Sequence, residues 1–493
     1  MNGISGSQTG SSSTFDVAAV WKFPMMTTCA FAVPTCVFWT LLVFSSYGDC
    51  FNKQPFTPLL QEKPFLIIWN VPTERCESKF NVRLPLFMFD LVSTPRHNHT
   101  TQSVMMFYEN HLGTYPFYTK QGEPVHGGLP HNASLWMHIR RVQRDLKALA
   151  PTRTSTQLAV IDWEEWRPQW IRNWDQKDIY RRQSVKLVRQ KHPSWEEARI
   201  NRQAQWEFET AAQHFMEETL RLGKNFYKQA LWGFYLYPDC YNYDYKKHQN
   251  SYTGYCPDVE RKRNEELDWL WRSSTALFPS IYMERELQNS ENGRKFVQNR
   301  VQEALRVADL ARVGHALPVF VYTQPVYAYT FIYKSEKDLM HSIGESAALG
   351  AAGIILWGDV KFSQSQQNCE GLQSFLEDKL GKYLVNVSEA ASQCSQLLCN
   401  AHGRCVRNEA DSHAYLHLPA SRFSVYRHAE GFGVDGYLRS SDIWRLRSDF
   451  HCNCYVGWRG QGCERSRASS VVFILPANVL LVAFAFVLLL TQV

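Results

Sequence analysis

The apolar run Leu158-Ala159-Val160-Ile161 passes directly into Asp162-Trp163-Glu164, and here the chain places its best candidates for chemistry. On a strand, residues i and i+2 share a face, so the two carboxyl groups would project together with Cα atoms roughly 6–7 Å apart. Two carboxyls held that close cannot both ionise freely. One keeps its proton toward neutral pH and can serve as an acid, while the other accepts hydrogen bonds. Spacing alone does not separate this from a pair of solvated loop residues or helix caps, which are commoner after strands. Sixteen histidines also raise the question of a metal. The close pair His97 and His99 lies in a polar loop without neighbouring ligands at a known spacing, so no metal site is expected.

A carboxylate pair at a strand end needs a sheet behind it. Short runs rich in aromatic and branched residues recur at Phe65 to Trp69, Phe87 to Phe89, Val104 to Tyr108, Leu158 to Ile161, Leu231 to Leu236, Ile281-Tyr282, Val319 to Tyr322 and Ile354 to Trp357. They read as buried strands. Helical patterns at Ser134 to Ala150, Asn264 to Ser274, Gly293 to Ala311 and Glu336 to Leu349 separate many of them. The longest helix opens on Ser194-Trp195-Glu196-Glu197, which has the form of a capping box. It carries Ile200, Ala204, Phe208, Ala211, Ala212, Phe215 and Met216 at helical spacing and meets a stop signal at Gly223. About eight strands alternating with helices predict an α/β fold of the (β/α) TIM-type barrel, regular or distorted, in which the C-terminal strand ends form the site.

After Asn386 the pattern changes to cysteine-dense loops: Cys394-x4-Cys399-x5-Cys405, then Cys452-x-Cys454-x8-Cys463. These gaps match an epidermal-growth-factor-like module with a 46-residue insert between its third and fourth cysteines. A zinc site would require Cys-x2-Cys pairs, which this segment lacks. The apolar stretch Phe23 to Phe44, preceded by Lys22 and followed by Ser46-Tyr47-Gly48, reads as a secretory signal. Its long polar leader leaves open a start at Met25 or Met26, or retention as an anchor. Setting aside Cys29 and Cys36 within that stretch leaves eleven cysteines, an odd number, with Cys50 the candidate for the extra one. Acceptor tripeptides at Asn98, Asn132 and Asn386 agree with an exported glycoprotein. The uncharged run Val471 to Leu490 has small residues Ser466, Ala468, Ser469 and Ser470 upstream and no basic tail after it. It reads as a glycosylphosphatidylinositol-anchor signal in preference to a retained transmembrane tail. The expected organisation is a signal sequence at 1–48, a catalytic barrel at 49–388, the cysteine-rich module with its insert at 389–465, and the anchor signal or tail at 466–493. The net charge of +6 is small and dispersed, so nucleic acid is not an expected partner.

The segment Ala159-Val160-Ile161-Asp162-Trp163-Glu164-Glu165-Trp166-Arg167-Pro168 resembles the active-site segment of the vertebrate hyaluronidases, glycoside hydrolase family 56. Gly113 to Pro116, Gly127 to Ser134, Leu231 to Tyr235, Pro238 to Asn242, Leu277 to Tyr282, Gly344 to Ala348 and Ile355 to Trp357 look like further family segments in family order, covering about Pro64 to Cys463. Within the family, Val125 to Gly128, Asp178 to Arg182, Cys256 to Glu260 and Leu356 to Asp359 look most like the lipid-anchored member. The resemblance implies that Glu164 is the general acid and Asp162 its partner. It implies retention without an enzyme nucleophile, the substrate's 2-acetamido group attacking the anomeric carbon, so that β-1,4 linkages between N-acetylglucosamine and glucuronate in hyaluronan are cut internally. Tyr108, Tyr235, Tyr282, Trp357 and Arg167 match cleft positions. Disulfides Cys76–Cys369, Cys240–Cys256, Cys394–Cys405, Cys399–Cys452 and Cys454–Cys463 are implied, and no cofactor. Two rival readings keep the cleft: a surface receptor that binds hyaluronan without cutting it, and an enzyme preferring chondroitin. The expected location is the outer face of the plasma membrane, or a lysosomal or secreted pool.

Overall fold

The computed structural model describes residues 53–93, 104–148, 158–312, 314–428 and 431–466. Both apolar ends, Cys29, Cys36, Cys50, His97, Asn98 and His99 lie outside the described residues. Among the described residues nine strands precede the cysteine-rich region: β1 Leu66–Asn70, β2 Leu91–Val92, β3 Val104–Phe107, β4 Phe117–Tyr118, β5 Pro124–Val125, β6 Leu158–Ile161, β7 Leu231–Phe234, β8 Phe320–Thr323 and β9 Gly353–Trp357. Two all-parallel sheets form, in the orders β2-β1-β9-β8 and β3-β6-β7, while β4 and β5 make a small antiparallel hairpin.

Residues 277–280 connect the two sheets through isolated parallel bridges, Tyr235 to Phe278, Leu277 to Val319 and Ser280 to Tyr322. The parallel order therefore runs continuously from β2 through β1, β9, β8, the 277–280 segment, β7 and β6 to β3. The strand expected at Ile281-Tyr282 lies earlier and stays irregular because Pro279 has no N–H to give the ladder. Gly233 of β7 faces this segment. A Cβ there would collide with the Ala276 carbonyl, so only glycine permits the approach. No strand forms at Phe87 to Phe89, where Phe87 is exposed and packs on Phe432; the sheet instead takes Leu91–Val92. Among the described residues β2 and β3 are not paired.

Side-chain parity divides the apolar residues into two layers. Leu66, Ile68, Val104, Leu158, Val160, Phe278, Phe320, Tyr322 and Ile355 form an inner cluster. Ile67, Trp69, Phe107, Ala159, Ile161, Trp232, Phe234, Val321, Ile354 and Leu356 join the larger core that includes the surrounding helices. Burial on both faces explains why β6, and β1 and β8 up to their last residues, read as apolar runs.

The helix Glu197–Phe226 is the longest of the described helices, and it packs on Leu135–Ala148 and Asp178–Lys191. The capping box expected at Ser194 is absent: the N-cap is Glu196, with no side-chain cap bond. Trp195 instead stacks on His192 at 3.8 Å, and the Glu197 carboxylate takes bonds from Arg189 and Asn201 instead of reaching back. The helix also continues past Gly223, whose missing Cβ admits the Trp232 ring.

In the cysteine-rich region β10 Gly403–Arg407 pairs antiparallel with β13 Phe450–Cys454. A hairpin of β11 Phe423–His428 and β12 Gly431–Gly436 and a helix Ser440–Asp449 fill the insert. Disulfides join Cys76–Cys369, Cys240–Cys256, Cys394–Cys405, Cys399–Cys452 and Cys454–Cys463. The boundary expected between 388 and 389 falls inside one continuous helix, Gly381–Cys399. That helix carries Cys394 and Cys399 and packs on β1, β10 and β13, so it serves both parts. The junction is also ionic: Arg407 of β10 holds the Glu345 carboxylate, both side chains fully enclosed.

Candidate active site

The ladder around β6 runs one residue past the strand. Asp162 donates its N–H to the Phe107 carbonyl at 2.9 Å, and Tyr235 donates to the Ile161 carbonyl at 2.9 Å. Alternation then fixes the three residues that follow Ile161. Trp163 turns into the outer layer, stacking on Tyr115 at 4.6 Å and meeting the rings of His138 and Phe234 edge-on at 5.5 Å. Asp162 and Glu164 are thereby directed to the inner side, in phase with Leu158 and Val160. Behind Trp163, His138 accepts from the Thr114 N–H at 3.0 Å and so donates its other ring nitrogen to Thr219 at 2.8 Å. Burial lowers its pKa to about 3, keeping the ring neutral.

Two cations hold the loop that carries Glu164. Arg167 donates to the Glu164 carbonyl at 2.9 Å, and Lys177 donates to the carbonyls of Glu164 and Glu165. Arg167 also stands 3.6 Å from the Glu164 carboxylate, whose side chain is 48% exposed. Asn173, fully buried, staples this loop by accepting from the Arg167 N–H and donating to the Arg167 and Gln169 carbonyls.

The two carboxyls lie within hydrogen-bonding reach, and the Asp162 carboxyl is shifted upward. Burial raises Asp162 to about 8, the charges of Glu164 and Glu109 add to this, and Arg167 opposes them. Its Oδ1 is enclosed and has no hydrogen-bond partner among the described residues. The pair therefore holds one proton near neutral pH. Lys177 is lowered to about 8, first by burial and then by Arg167.

Aromatic rings line the side of the pair. Tyr235 and Tyr282 have centroids 6.3 Å apart, Tyr282 stacks on Trp357 at 6.0 Å, and Tyr108 shares a hydrogen bond with Trp357. Burial raises the pKa of Tyr235 and Tyr282, so both phenols remain donors. Glu164, Arg167, Tyr235 and Tyr282 open onto a cleft of about 460 Å³, and Tyr108 borders a separate hollow of about 570 Å³. Of the seven expected residues, Glu164, Arg167, Tyr235 and Tyr282 line the cleft, Asp162 is hydrogen-bonded to Glu164, and Trp357 joins Tyr282 to Tyr108. Of the sequons, Asn132 is exposed and donates to Gly127, while Asn386 sits within the helix Gly381–Cys399 and accepts from Leu418.

The sequence did not single out several other residues of the cleft. Arg300 pairs with Asp239 at 3.3 Å and lies under the Tyr243 ring at 4.8 Å. Asp239 and Tyr241 stand within the Pro238 to Asn242 segment, but nothing in their spacing marked a role. Four non-glycine cleft residues, Asp175, Leu236, Tyr241 and Tyr329, take left-handed φ values of 50°, 78°, 55° and 62°. Such conformations cost about 1–3 kcal/mol each and gather at functional sites.

The sequence profile described as Hyaluronidase matches residues 54–467. Hyaluronidase-2 of Ovis aries is 48% identical over 422 residues, covering 84% of this chain and 89% of that protein. Hyaluronidase-2 of Homo sapiens is 48% identical over 416 residues, covering 84% and 88%. Among solved structures, bee venom hyaluronidase in complex with a hyaluronic acid tetramer superposes with a TM-score of 0.56 at 28% identity, covering 65% of this chain and 98% of that one. A strand-end carboxylate pair beneath an aromatic wall thus sits in a chain matched along most of its length, and this chain belongs to the hyaluronidase family.

Proposed function

We propose that this chain is a glycoside hydrolase that cuts hyaluronan internally, with Glu164 as its general acid and base. The observation that carries the assignment is the Asp162–Glu164 pair, holding one proton at the end of β6 beside a cleft bordered by Tyr235 and Tyr282. The bee venom relative was solved with a hyaluronic acid tetramer, which supports the choice of substrate.

In the reading we favour, the resting proton lies mainly on buried Asp162 and is shared with Glu164. A sugar settling over Glu164 removes water from its half-exposed carboxyl, which raises that group's proton affinity and moves the proton toward the leaving oxygen. As Glu164 protonates the glycosidic oxygen, the bond from that oxygen to the anomeric carbon breaks, the released chain leaves as an alcohol, and the carbonyl oxygen of the 2-acetamido group bonds to the anomeric carbon. Ionised Asp162 accepts from the acetamido N–H and stabilises the charge developing there, and the Tyr235 and Tyr282 hydroxyls hold the same group. Glu164, now a carboxylate, takes a proton from water as that water opens the cyclic intermediate, and the configuration is retained. Trp357 supplies a ring face for the sugar, and Arg167 fixes the Glu164 loop.

The continuous parallel order supports reading the sheets as a distorted (β/α) barrel. The first-to-third, second-to-fourth and fifth-to-sixth disulfide order supports an epidermal-growth-factor-like module at 389–465. The sequence at both ends supports export and a lipid anchor on the outer membrane face, which phospholipase release from intact cells would test: a chain that stays put favours a transmembrane tail. Hyaluronan and chondroitin digested side by side test the substrate. We expect shortened hyaluronan, and polymer of unchanged length would overturn the proposal. Replacing the N-acetyl groups of hyaluronan oligosaccharides with N-trifluoroacetyl groups tests the nucleophile, and a rate that does not fall argues against it.

A further inference from the structure

The turn between Tyr327 and Ile332 is rigid on one side and bare on the other. Tyr327 is fully buried, its hydroxyl donating to Asp338 at 2.5 Å and its N–H to the Ile332 carbonyl at 3.0 Å. Ala328 donates to the Met283 carbonyl at 2.8 Å, Val326 and Tyr333 are bridged, and buried Lys334 ties the returning limb to Thr323 at 2.8 Å. Held on this frame, Tyr329 is 96% exposed and adopts φ 62°. Side chains as large as tyrosine are uncommon in that region unless the position is fixed for another reason. Tyr329 lines the cleft together with Tyr243. Lys246, over the Tyr243 ring at 5.6 Å, is held by Glu284 at 2.7 Å, and of the cations that line the cleft Arg172 pairs with Glu260 and Arg300 with Asp239.

We infer that Tyr329, with Tyr243, forms a distal saccharide subsite: a ring face on which a sugar of the bound polymer stacks, beyond the sugars at Glu164. This rests on the hyaluronan reading above and extends it to the length of chain the cleft grips. The occupant is a saccharide because the tyrosine face continues the cleft, is left uncovered by the described residues, and offers flat apolar area beside Lys246 and Arg300, whose charges are already paired. A rigid turn makes the contact inexpensive in entropy, since little is left to order when the sugar arrives.

The test compares Tyr329→Ala, Tyr329→Gly and Tyr329→Trp on hyaluronan oligosaccharides of increasing length. For long oligosaccharides Tyr329→Ala raises KM by about five- to tenfold, the factor expected from uncovering one ring face. The loss appears in KM and not in kcat, fades as the substrate shortens, and persists in added salt because it involves no charge. Tyr329→Trp restores it. Tyr329→Gly shows the same length-dependent loss yet melts higher than Tyr329→Ala, since glycine relieves the left-handed backbone. An equal effect at every length, or none at any length, overturns the subsite. If wild type fails to cut hyaluronan at all, the functional reading falls instead. Oligosaccharide binding to Glu164→Gln, with and without Tyr329→Ala, then tests the subsite alone.

Discussion

Asp162→Asn should make the protein more stable as it makes it less active, and only at neutral pH. In the folded chain Asp162 is raised from 3.8 to about 8. A raised carboxyl binds its proton more tightly folded than unfolded, so its contribution to stability is complete below the unfolded value of 3.8. That contribution is lost as pH rises toward 8. At pH 7 the full shift corresponds to about 4 kcal/mol, at about 1.4 kcal/mol per pH unit across roughly three units. Sharing the proton with Glu164 and partial access to the cleft reduce this to about 2–4 kcal/mol. At pH 4 the cost is below about 1 kcal/mol. Asparagine has no charge to bury, so urea unfolding of wild type and Asp162→Asn should give nearly equal stabilities at pH 4 and diverge in favour of the variant by pH 7. Hyaluronan cleavage should fall by about 10²-fold or more as the proton partner is lost. A stability difference that does not change with pH would refute the account of a buried, shared proton.

His138 behaves in the opposite sense at acid pH. Burial lowers it from 6.5 to about 3, so its neutral form stabilises the fold above 6.5 and that benefit declines as pH falls toward 3. By pH 4.5 this amounts to about 2–3 kcal/mol, and urea midpoints of His138→Gln should fall less steeply between pH 7 and 4.5 than those of wild type. Gly113 has φ 77°, and a Cβ there would collide with the His138 ring. Gly113→Ala should therefore cost about 2 kcal/mol or more, read from the same unfolding curves. Arg407→Leu leaves the enclosed Glu345 carboxylate with only the more distant Arg294 at 4.0 Å, for a loss of about 3–5 kcal/mol, and the double change Glu345→Leu with Arg407→Leu should recover most of it.

The parallel strands were legible because burial on both faces makes them continuous apolar runs, and Leu158 to Ile161 is a strand from its first residue to its last. Parity was legible too: Asp162 and Glu164 share the inner side, as their spacing implied. The sequence misled where a local pattern depended on distant partners. Ser194 heads a motif that caps helices, but His192 and Arg189 engage its neighbours first. Pro279 moved a strand. Spacing gave a carboxylate pair but could not say which carboxyl holds the proton, since burial decides that and burial is a property of the fold. Tyr329 carried no sequence signal, because its exposure and its left-handed φ exist only once the turn is built.

The most direct test of the central claim separates chemistry from binding at Glu164. Glu164→Gln keeps the shape and the hydrogen-bonding capacity of the side chain but cannot give up a proton. The account predicts that its kcat on hyaluronan falls by about 10²–10⁴-fold, while the Kd of a hyaluronan oligosaccharide, measured by calorimetry on the folded variant, stays within about threefold of wild type, less than 1 kcal/mol. Cleavage retained at a wild-type rate, or binding lost together with cleavage, would contradict the assignment of Glu164 as the proton donor.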